Sequence, residues 1–93
     1  MTTKRVQEAF EAIKSEVTSD NCQFFNTRNI VGDEMETIYE KDGITIDICY
    51  DWGYFEVFGM TNEEFIDFKR LFGINNPEQS GIIPTMADVF GLI

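Results

Sequence analysis

The segment that decides the fold is "GITIDICYDWGYFEVFG", Gly43 to Gly59, in which apolar and polar residues alternate in two short runs. Alternation with a period of two is typical of half-buried β-strands. The preceding segment, "METIYEKD", Met35 to Asp42, has the same pattern. We therefore expect three strands in an antiparallel meander, with Asp42-Gly43 as a two-residue type I′ turn between the first two strands.

The second turn decides which residues of the meander face the core. A two-residue loop at Trp52-Gly53 sets Tyr50 opposite Phe55, with both side chains in the core. A three-residue turn with a glycine bulge is the alternative, because tryptophan tolerates positive φ poorly. That turn would bring Glu56 beside Ile48, so the hydrophobic pattern favours the two-residue loop. The predicted core face consists of Met35, Tyr39, Ile44, Ile46, Ile48, Tyr50, Phe55 and Val57.

Two amphipathic helices flank the predicted sheet. The first has apolar residues at spacings of three and four and takes Thr2 or Thr3 as its N-cap. The second is "MTNEEFIDFKRLFG", with a capping box formed by Thr61 and Glu64 and with Gly73 as its C-terminal cap. We expect both helices and the sheet to form one α+β domain, with the second helix on the core face. The apolar positions of the first helix are Val6, Ala9, Phe10, Ile13 and Val17.

Two segments give weaker signals. Between Cys22 and Asp33 the pattern fits a short edge strand at Gln23–Thr27 or an extended loop. Residues 74–93 are apolar and interrupted by prolines, with one short helical turn capped by Thr85. This C-terminal tail packs on the domain of residues 1–73 or against another chain.

Composition limits the classes of function. The chain has 93 residues, enough for one domain, and 43% of them are hydrophobic, so a packed core is expected. It has no histidine and only two cysteines, which favours free thiols over a disulfide and removes the usual zinc ligands and triad bases. No apolar run has the length of a signal peptide or membrane span. We expect a cytoplasmic protein that is not an enzyme and binds neither cofactor nor membrane.

The net charge of −10 is concentrated in one part of the chain. Eleven acidic residues and one base, Lys41, lie between Asp33 and Asp67, whereas six acids and six bases balance in the remainder. Solubility alone would explain a negative protein. Segregated charge also predicts a focused field that attracts a basic protein and repels nucleic acid. We therefore expect a basic protein as partner and no direct binding of nucleic acid.

The face of the sheet opposite the core is the candidate site. Its predicted residues combine carboxylates with aromatics, and Glu36, Cys49 and Glu56 share one predicted cross-strand row. This face is open to three interpretations: a solvated surface, a protein-binding surface whose carboxylates stand in for phosphates, and a carboxylate cluster for metal or acid–base chemistry. The face comprises Glu34, Glu36, Ile38, Glu40, Thr45, Asp47, Cys49, Asp51, Tyr54, Glu56 and Phe58. The candidate partner-binding residues are Glu36, Glu40, Asp47, Asp51, Trp52, Tyr54, Glu56 and Phe58.

From Val6 to Gly73, the order of elements and the placement of charge resemble those of small acidic phage-encoded anti-CRISPR proteins, some of which act as DNA mimics. The resemblance implies an inhibitor whose acidic segment, Asp33 to Asp67, occupies the basic cleft of a CRISPR effector nuclease or another DNA-binding protein in the host cytoplasm. The second hypothesis is a self-associating module. It would form a homodimer through the apolar tail or through a patch of Ile38, Tyr54 and Phe58.

Overall fold

The computed structural model describes residues 2–26, 34–74 and 77, and its strands form one mixed sheet in the order β1-β4-β3-β2. Both helices pack on the same face of this sheet, so the α+β class and the position of the second helix are confirmed. The meander is only part of the sheet, because a fourth strand, β1, runs parallel to β4. The elements are α1 Lys4–Ile13, β1 Phe24–Phe25, β2 Glu36–Lys41, β3 Ile44–Cys49, β4 Tyr54–Phe58 and α2 Asn62–Leu71.

Helix α1 begins as predicted and ends earlier. The Thr3 hydroxyl accepts a hydrogen bond from the backbone N–H of Val6 and caps the helix. After Ile13 the chain makes one 3-10 turn, Lys14–Glu16, and then becomes extended at Val17. Val17 still packs against the core from this extended backbone. The helical spacing therefore identified the buried residues correctly and overestimated the length of the helix.

Helix α2 has the predicted signals at both ends. Thr61 and Glu64 form the reciprocal capping box. At the other end Gly73 adopts φ 75°, its N–H donates to the Arg70 carbonyl, and the N–H of Ile74 donates to the Lys69 carbonyl. These two bonds are those of a Schellman motif. Ile74 is buried in the core, so the cap also fixes the direction in which the chain leaves the helix.

The turn between β2 and β3 is confirmed, and β2 contains a bulge that the sequence did not predict. Asp42 and Gly43 have φ values of 54° and 81°, the left-handed pair that a type I′ turn needs. Farther along, the register shifts between Thr37 and Tyr39, so that one extra residue, Ile38, is inserted. Ile38 and Tyr39 therefore both pack against the core. The prediction that Ile38 lies on the opposite face is wrong for this reason.

The turn between β3 and β4 is a four-residue loop, Tyr50 to Gly53. The Gly53 N–H donates to the Cys49 carbonyl over 2.8 Å, and of the loop residues Gly53 alone has positive φ. Tryptophan thereby avoids the left-handed conformation that the predicted two-residue loop required. Phe55 pairs with Ile48 instead of with Tyr50. A shift of two residues preserves the faces of β4, so Phe55 stays in the core and only Tyr50 is expelled.

Strand β1 is the short edge strand that remained one of two alternatives. Its adjacent phenylalanines lie on opposite faces of the sheet, and both are buried. Phe24 stacks on Phe55 with ring centroids 4.9 Å apart and on Phe72 at 5.0 Å. On the other face, the Phe25 ring meets Tyr54 edge-on at 5.4 Å. Two neighbouring aromatics fit a strand that is covered on both sides, where alternation is not required.

The reverse face of the sheet carries a second, smaller hydrophobic cluster. Phe25, Cys49 and Tyr54 are buried there, and Met35 packs against them. Met35 was predicted in the main core, and this prediction is wrong because the bulge in β2 changes the faces of the residues before it. Cys22 lies in the main core, so the two cysteines belong to different clusters, and both are free. The predicted C-terminal tail lies outside the described residues apart from Ile74 and Pro77.

Arg5 joins four parts of the fold. Its Nη2 and Nε atoms bond the two carboxylate oxygens of Glu64 over 2.6 Å and 3.0 Å, and this pair connects α1 to the first turn of α2. Its Nη1 atom donates to the Asp42 carbonyl over 2.8 Å, and Nη2 also donates to the Gly59 carbonyl over 2.7 Å. The planar guanidinium offers several donors in a fixed geometry, which suits this arrangement.

Gly59 lies very close to the backbone of Gly43 at the same end of the sheet. It has φ 90°, and a Cβ atom added there would lie 1.8 Å from the carbonyl oxygen of Gly43. Both the obstructing atom and the chain that carries it are backbone, so no side-chain rotation relieves the contact. The sequence therefore needs glycine here for steric reasons, in addition to the backbone conformation.

We expect Gly59→Ala to destabilise the protein far more than Gly73→Ala. The two glycines have similar positive φ, but a Cβ at Gly73 meets nothing within 4 Å. Gly73→Ala should cost about 1 kcal/mol from backbone strain alone, and Gly59→Ala about 3 kcal/mol or more because the β2–β3 turn must also move. Urea denaturation of both variants measures the difference. Equal losses would show that the close approach contributes nothing.

The Arg5–Glu64 pair should make stability depend on acid pH. Hydrogen bonds from Arg5 and Thr61 lower the pKa of Glu64 from 4.5 to about 2. As the pH falls from about 4.5 to about 2, the unfolded chain therefore takes up a proton at this carboxyl before the folded protein does, and the free energy of unfolding decreases. Glu64→Gln keeps the capping box and removes the titration. Denaturation across this pH range should show a shallower loss for the variant, and identical slopes would contradict the assignment.

Candidate functional site

The β3–β4 loop presents two large aromatic side chains to solvent. Tyr50 is 61% exposed and Trp52 is 66% exposed. The hydrogen bond that closes the loop at Cys49 holds its base in the sheet, and Gly53 lies against the backbone of Asp20 and Asn21. The aromatic side chains therefore project from an anchored loop. Exposed tyrosine and tryptophan on an anchored support are typical of protein-binding surfaces.

Three carboxylates lie near Tyr50. Glu36 is the first residue of β2, Glu34 lies two residues before it, and Asp51 lies between the two aromatic residues in the loop. All three carboxylates are exposed. With Met35 and Tyr50 they line a shallow cavity of about 230 Å³. We call the surface formed by Glu34, Glu36, Tyr50, Asp51 and Trp52 the aromatic corner.

The local charge affects the Tyr50 phenol. Partial burial of the hydroxyl, the nearby charges of Glu36 and Glu16, and a hydrogen bond with Glu36 all raise its pKa above the usual value of 10. The direction is the one expected when a phenolate would form next to carboxylates. Tyr50 therefore stays neutral throughout the physiological range and can donate a hydrogen bond from the corner.

The carboxylates of the corner and of β2 have no basic partner within the described part of the chain. The salt bridges there join α1 residues to each other, α1 to Lys41, Arg5 to Glu64, and Arg70 to Asp67. The bases thus neutralise acids on or next to the helices. Among the exposed carboxylates of the corner, of β2 and of the turn after it, none takes part in these bridges, and they are Glu34, Glu36, Glu40, Asp42 and Asp51.

The structure separates the predicted site residues into two groups. Glu36, Glu40, Asp51 and Trp52 are exposed, as a binding surface requires. The other four lie on the reverse face of the sheet: Tyr54 and Glu56 are 5% and 2% exposed, and Asp47 and Phe58 are half-buried. The expectation that Tyr54 is an exposed aromatic is wrong, because β1 places Phe25 against its ring.

The predicted cross-strand rows also differ from those observed. Thr37, Asp47 and Glu56 are opposite one another across β2, β3 and β4. The Thr37 hydroxyl donates to an Asp47 carboxylate oxygen over 2.6 Å. The predicted row of Glu36 with Cys49 and Glu56 does not form, because the bulge in β2 and the four-residue loop each change the register. Cys49 is fully buried and cannot reach a substrate in this structure.

Tyr50 and Glu34 are the corner residues that the predicted binding set omitted. Tyr50 was placed in the core because a two-residue loop was assumed. A signal for the longer loop was present in "CYDWGY", since glycine supplies the one left-handed residue and tryptophan can then keep negative φ. Glu34 was assigned to the face opposite the core but was left out of the predicted binding residues, and it lies just before β2 begins at Glu36.

Neither a metal site among the described residues nor a known relative assigns a function to this chain. Within residues 2–26, 34–74 and 77, no three ligating side chains come together in a way that could hold a metal ion. None of the helices described is both long and apolar enough to cross a membrane. Comparison with protein-family models, curated proteins and solved structures finds no match for this chain. The site must therefore be interpreted from its own geometry and charge.

We expect the fluorescence of Trp52, the only tryptophan of the chain, to report the negative field of the corner. Caesium should quench it more efficiently than iodide, relative to free tryptophan amide at the same ionic strength, by about twofold or more because carboxylates concentrate cations. Glu36→Gln combined with Asp51→Asn should reduce this ratio, and Glu63→Gln on α2 serves as a control at a distant carboxylate. A ratio equal to that of the free amide would contradict a local field.

Proposed function

We propose that this protein binds a basic surface of a nucleic-acid-binding protein through the aromatic corner, and so competes with the nucleic acid for that surface. The observation that carries the proposal is the exposed pair Tyr50 and Trp52 among carboxylates that have no basic partner in the described part of the chain. A cleft that binds nucleic acid presents lysine and arginine to phosphates, and the carboxylates take the place of those phosphates.

The corner combines the two kinds of contact that a basic surface needs. The carboxylates attract the partner over a distance and raise the association rate, an effect that salt screens beyond about 8 Å at physiological ionic strength. Tyrosine and tryptophan supply apolar area that holds the complex together once it has formed. The ring faces also accept arginine and lysine side chains through cation–π contacts. An arginine of the partner in the cavity beside Tyr50 would use both kinds of contact.

Binding would suffice for inhibition, since the partner loses access to its nucleic acid without any reaction. A CRISPR effector nuclease is one partner of this chemistry, as the resemblance in charge and element order suggests. Glu40 is a further exposed carboxylate on β2. The cytoplasm, where such partners act, remains the predicted location.

The test is capture of partners by immobilised protein from a cell extract cleared of nucleic acid. The wild-type chain should retain nucleic-acid-binding proteins, release them at high salt, and release them when duplex DNA is added. Trp52→Ala should weaken binding of a captured protein by about thirtyfold, as expected for a central aromatic anchor. Asp51→Asn should mainly slow association and reduce its salt dependence. Purified CRISPR effectors can be added to the same assay.

Glu63→Gln is the matched control for Asp51→Asn, because it removes one exposed carboxylate elsewhere. Helix α2 begins after Gly59, which contacts Gly43 at the end of the sheet opposite the β3–β4 loop. This variant should capture the same proteins with unchanged affinity. If the Trp52→Ala and Asp51→Asn variants capture the wild-type set undiminished, or if no captured protein is displaced by DNA, the proposal is wrong.

A further inference from the structure

Strand β2 forms one edge of the sheet, because the order is β1-β4-β3-β2. Within the described residues no strand lies on its outer side. An edge strand presents a row of backbone N–H and C=O groups that another strand can pair with. Natural edges are usually protected from this pairing by charge or by bulges. The six residues of β2, "ETIYEK", contain charges of both signs and one bulge, so their arrangement decides whether the edge is protected.

Because of the bulge, the order in which the residues of β2 face the core side and the reverse side is the same from both ends of the strand. The strand partners in β3 alternate strictly between the buried Ile44, Ile46 and Ile48 and the residues between them. By these pairings Glu36, Tyr39 and Lys41 lie on the core side, and Thr37 and Glu40 lie on the reverse side. Ile38, the inserted residue, also packs against the core. From either end, the order of faces is therefore core, reverse, core, core, reverse, core.

This order permits the strand to pair with itself. A two-fold axis perpendicular to a sheet keeps each side chain on its own face, so opposed residues of the two copies must lie on the same face. In a regular strand, the register that centres the axis between Ile38 and Tyr39 would oppose residues of different faces. In β2 the bulge removes this conflict. All six residues then pair with matched faces.

The same register matches charge. Glu36 of each copy lies opposite Lys41 of the other, Thr37 lies opposite Glu40, and Ile38 lies opposite Tyr39. No like charges are opposed, and each end of the paired segment has one acid and one base. An edge protected against its own copy would place like charges at these positions. The charge pattern therefore favours self-pairing in this register.

We propose that β2 is a dimerisation edge, which pairs antiparallel with β2 of a second copy and joins the two sheets into one of eight strands. Lys41 can donate to Glu36 of the second copy while it keeps its salt bridge with Glu8. Its Nζ atom lies 2.7 Å from a Glu8 carboxylate oxygen, its side chain is 56% exposed, and an ammonium has three donors. Lys41 of the second copy then reaches Glu36, which belongs to the aromatic corner, while Asp51 and Trp52 of the corner remain outside the paired strands.

Sedimentation of two reciprocal charge variants tests the proposal on the protein alone. In a symmetric dimer, Glu36→Lys places two lysines opposite each other at both ends of the paired segment, and Lys41→Glu places two glutamates there. Each variant should raise the dimer dissociation constant by about tenfold to a hundredfold over that of the wild type. An equimolar mixture of the two variants should form a heterodimer near wild-type affinity, because each 36–41 pair then joins opposite charges.

Glu63→Lys is the control, because it changes the net charge as Glu36→Lys does on an exposed helical position away from β2. It should dimerise as the wild type does. A wild-type chain that stays monomeric at micromolar to millimolar concentration would overturn the proposal. So would a mixture that stays monomeric while both variants retain the wild-type circular dichroism spectrum. Partner capture by the corner uses Asp51 and Trp52, so failure of one proposal is distinguishable from failure of the other.

Discussion

The bidentate pair of Arg5 and Glu64 is the contact on which the arrangement of the layers depends. It joins the first turns of both helices over one end of the sheet, and the remaining guanidinium donors bind the carbonyls of Asp42 and Gly59. The close approach of Gly59 to Gly43 brings those carbonyls within reach. Four separate segments thus converge on one planar cation. The β3–β4 loop lies at the opposite end of the sheet, where it presents Tyr50 and Trp52 to solvent.

The fold was predictable where local chemistry acts alone. Asp42-Gly43 has few alternatives to a type I′ turn, and the capping box at Thr61 and the glycine at residue 73 define a helix from its ends. The bulge at Ile38 was not predictable, because it serves the packing of two consecutive side chains against helices that the strand pattern does not contain. Local signals therefore determined the elements, and tertiary packing determined their register.

The site was predictable in charge and only in part in position. Asp51 and Trp52 were expected at the surface and lie there, but Tyr54 and Glu56 were expected on an open face and are buried. Alternation tells which residues share a face and gives no information on whether that face is covered. Here Phe25 of β1 covers that face. Strand β1 has only two residues, so it shows no periodicity that the sequence could reveal. Exposure is a property of the assembled sheet, so the sequence pattern alone could not supply it.

The separation of charge follows from how the bases are used. Arg5 and Lys41 hold α1 against the end of the sheet and against β2, and their charges are paired with those of Glu64 and Glu8. The basic side chains in these bridges are thus paired with acids on the helices. Carboxylates at the corner have no such role in the fold, and like charges placed together slightly destabilise it. A fold that needed only solubility could have dispersed them, and their concentration near two exposed aromatics is the observation on which the proposed basic partner rests.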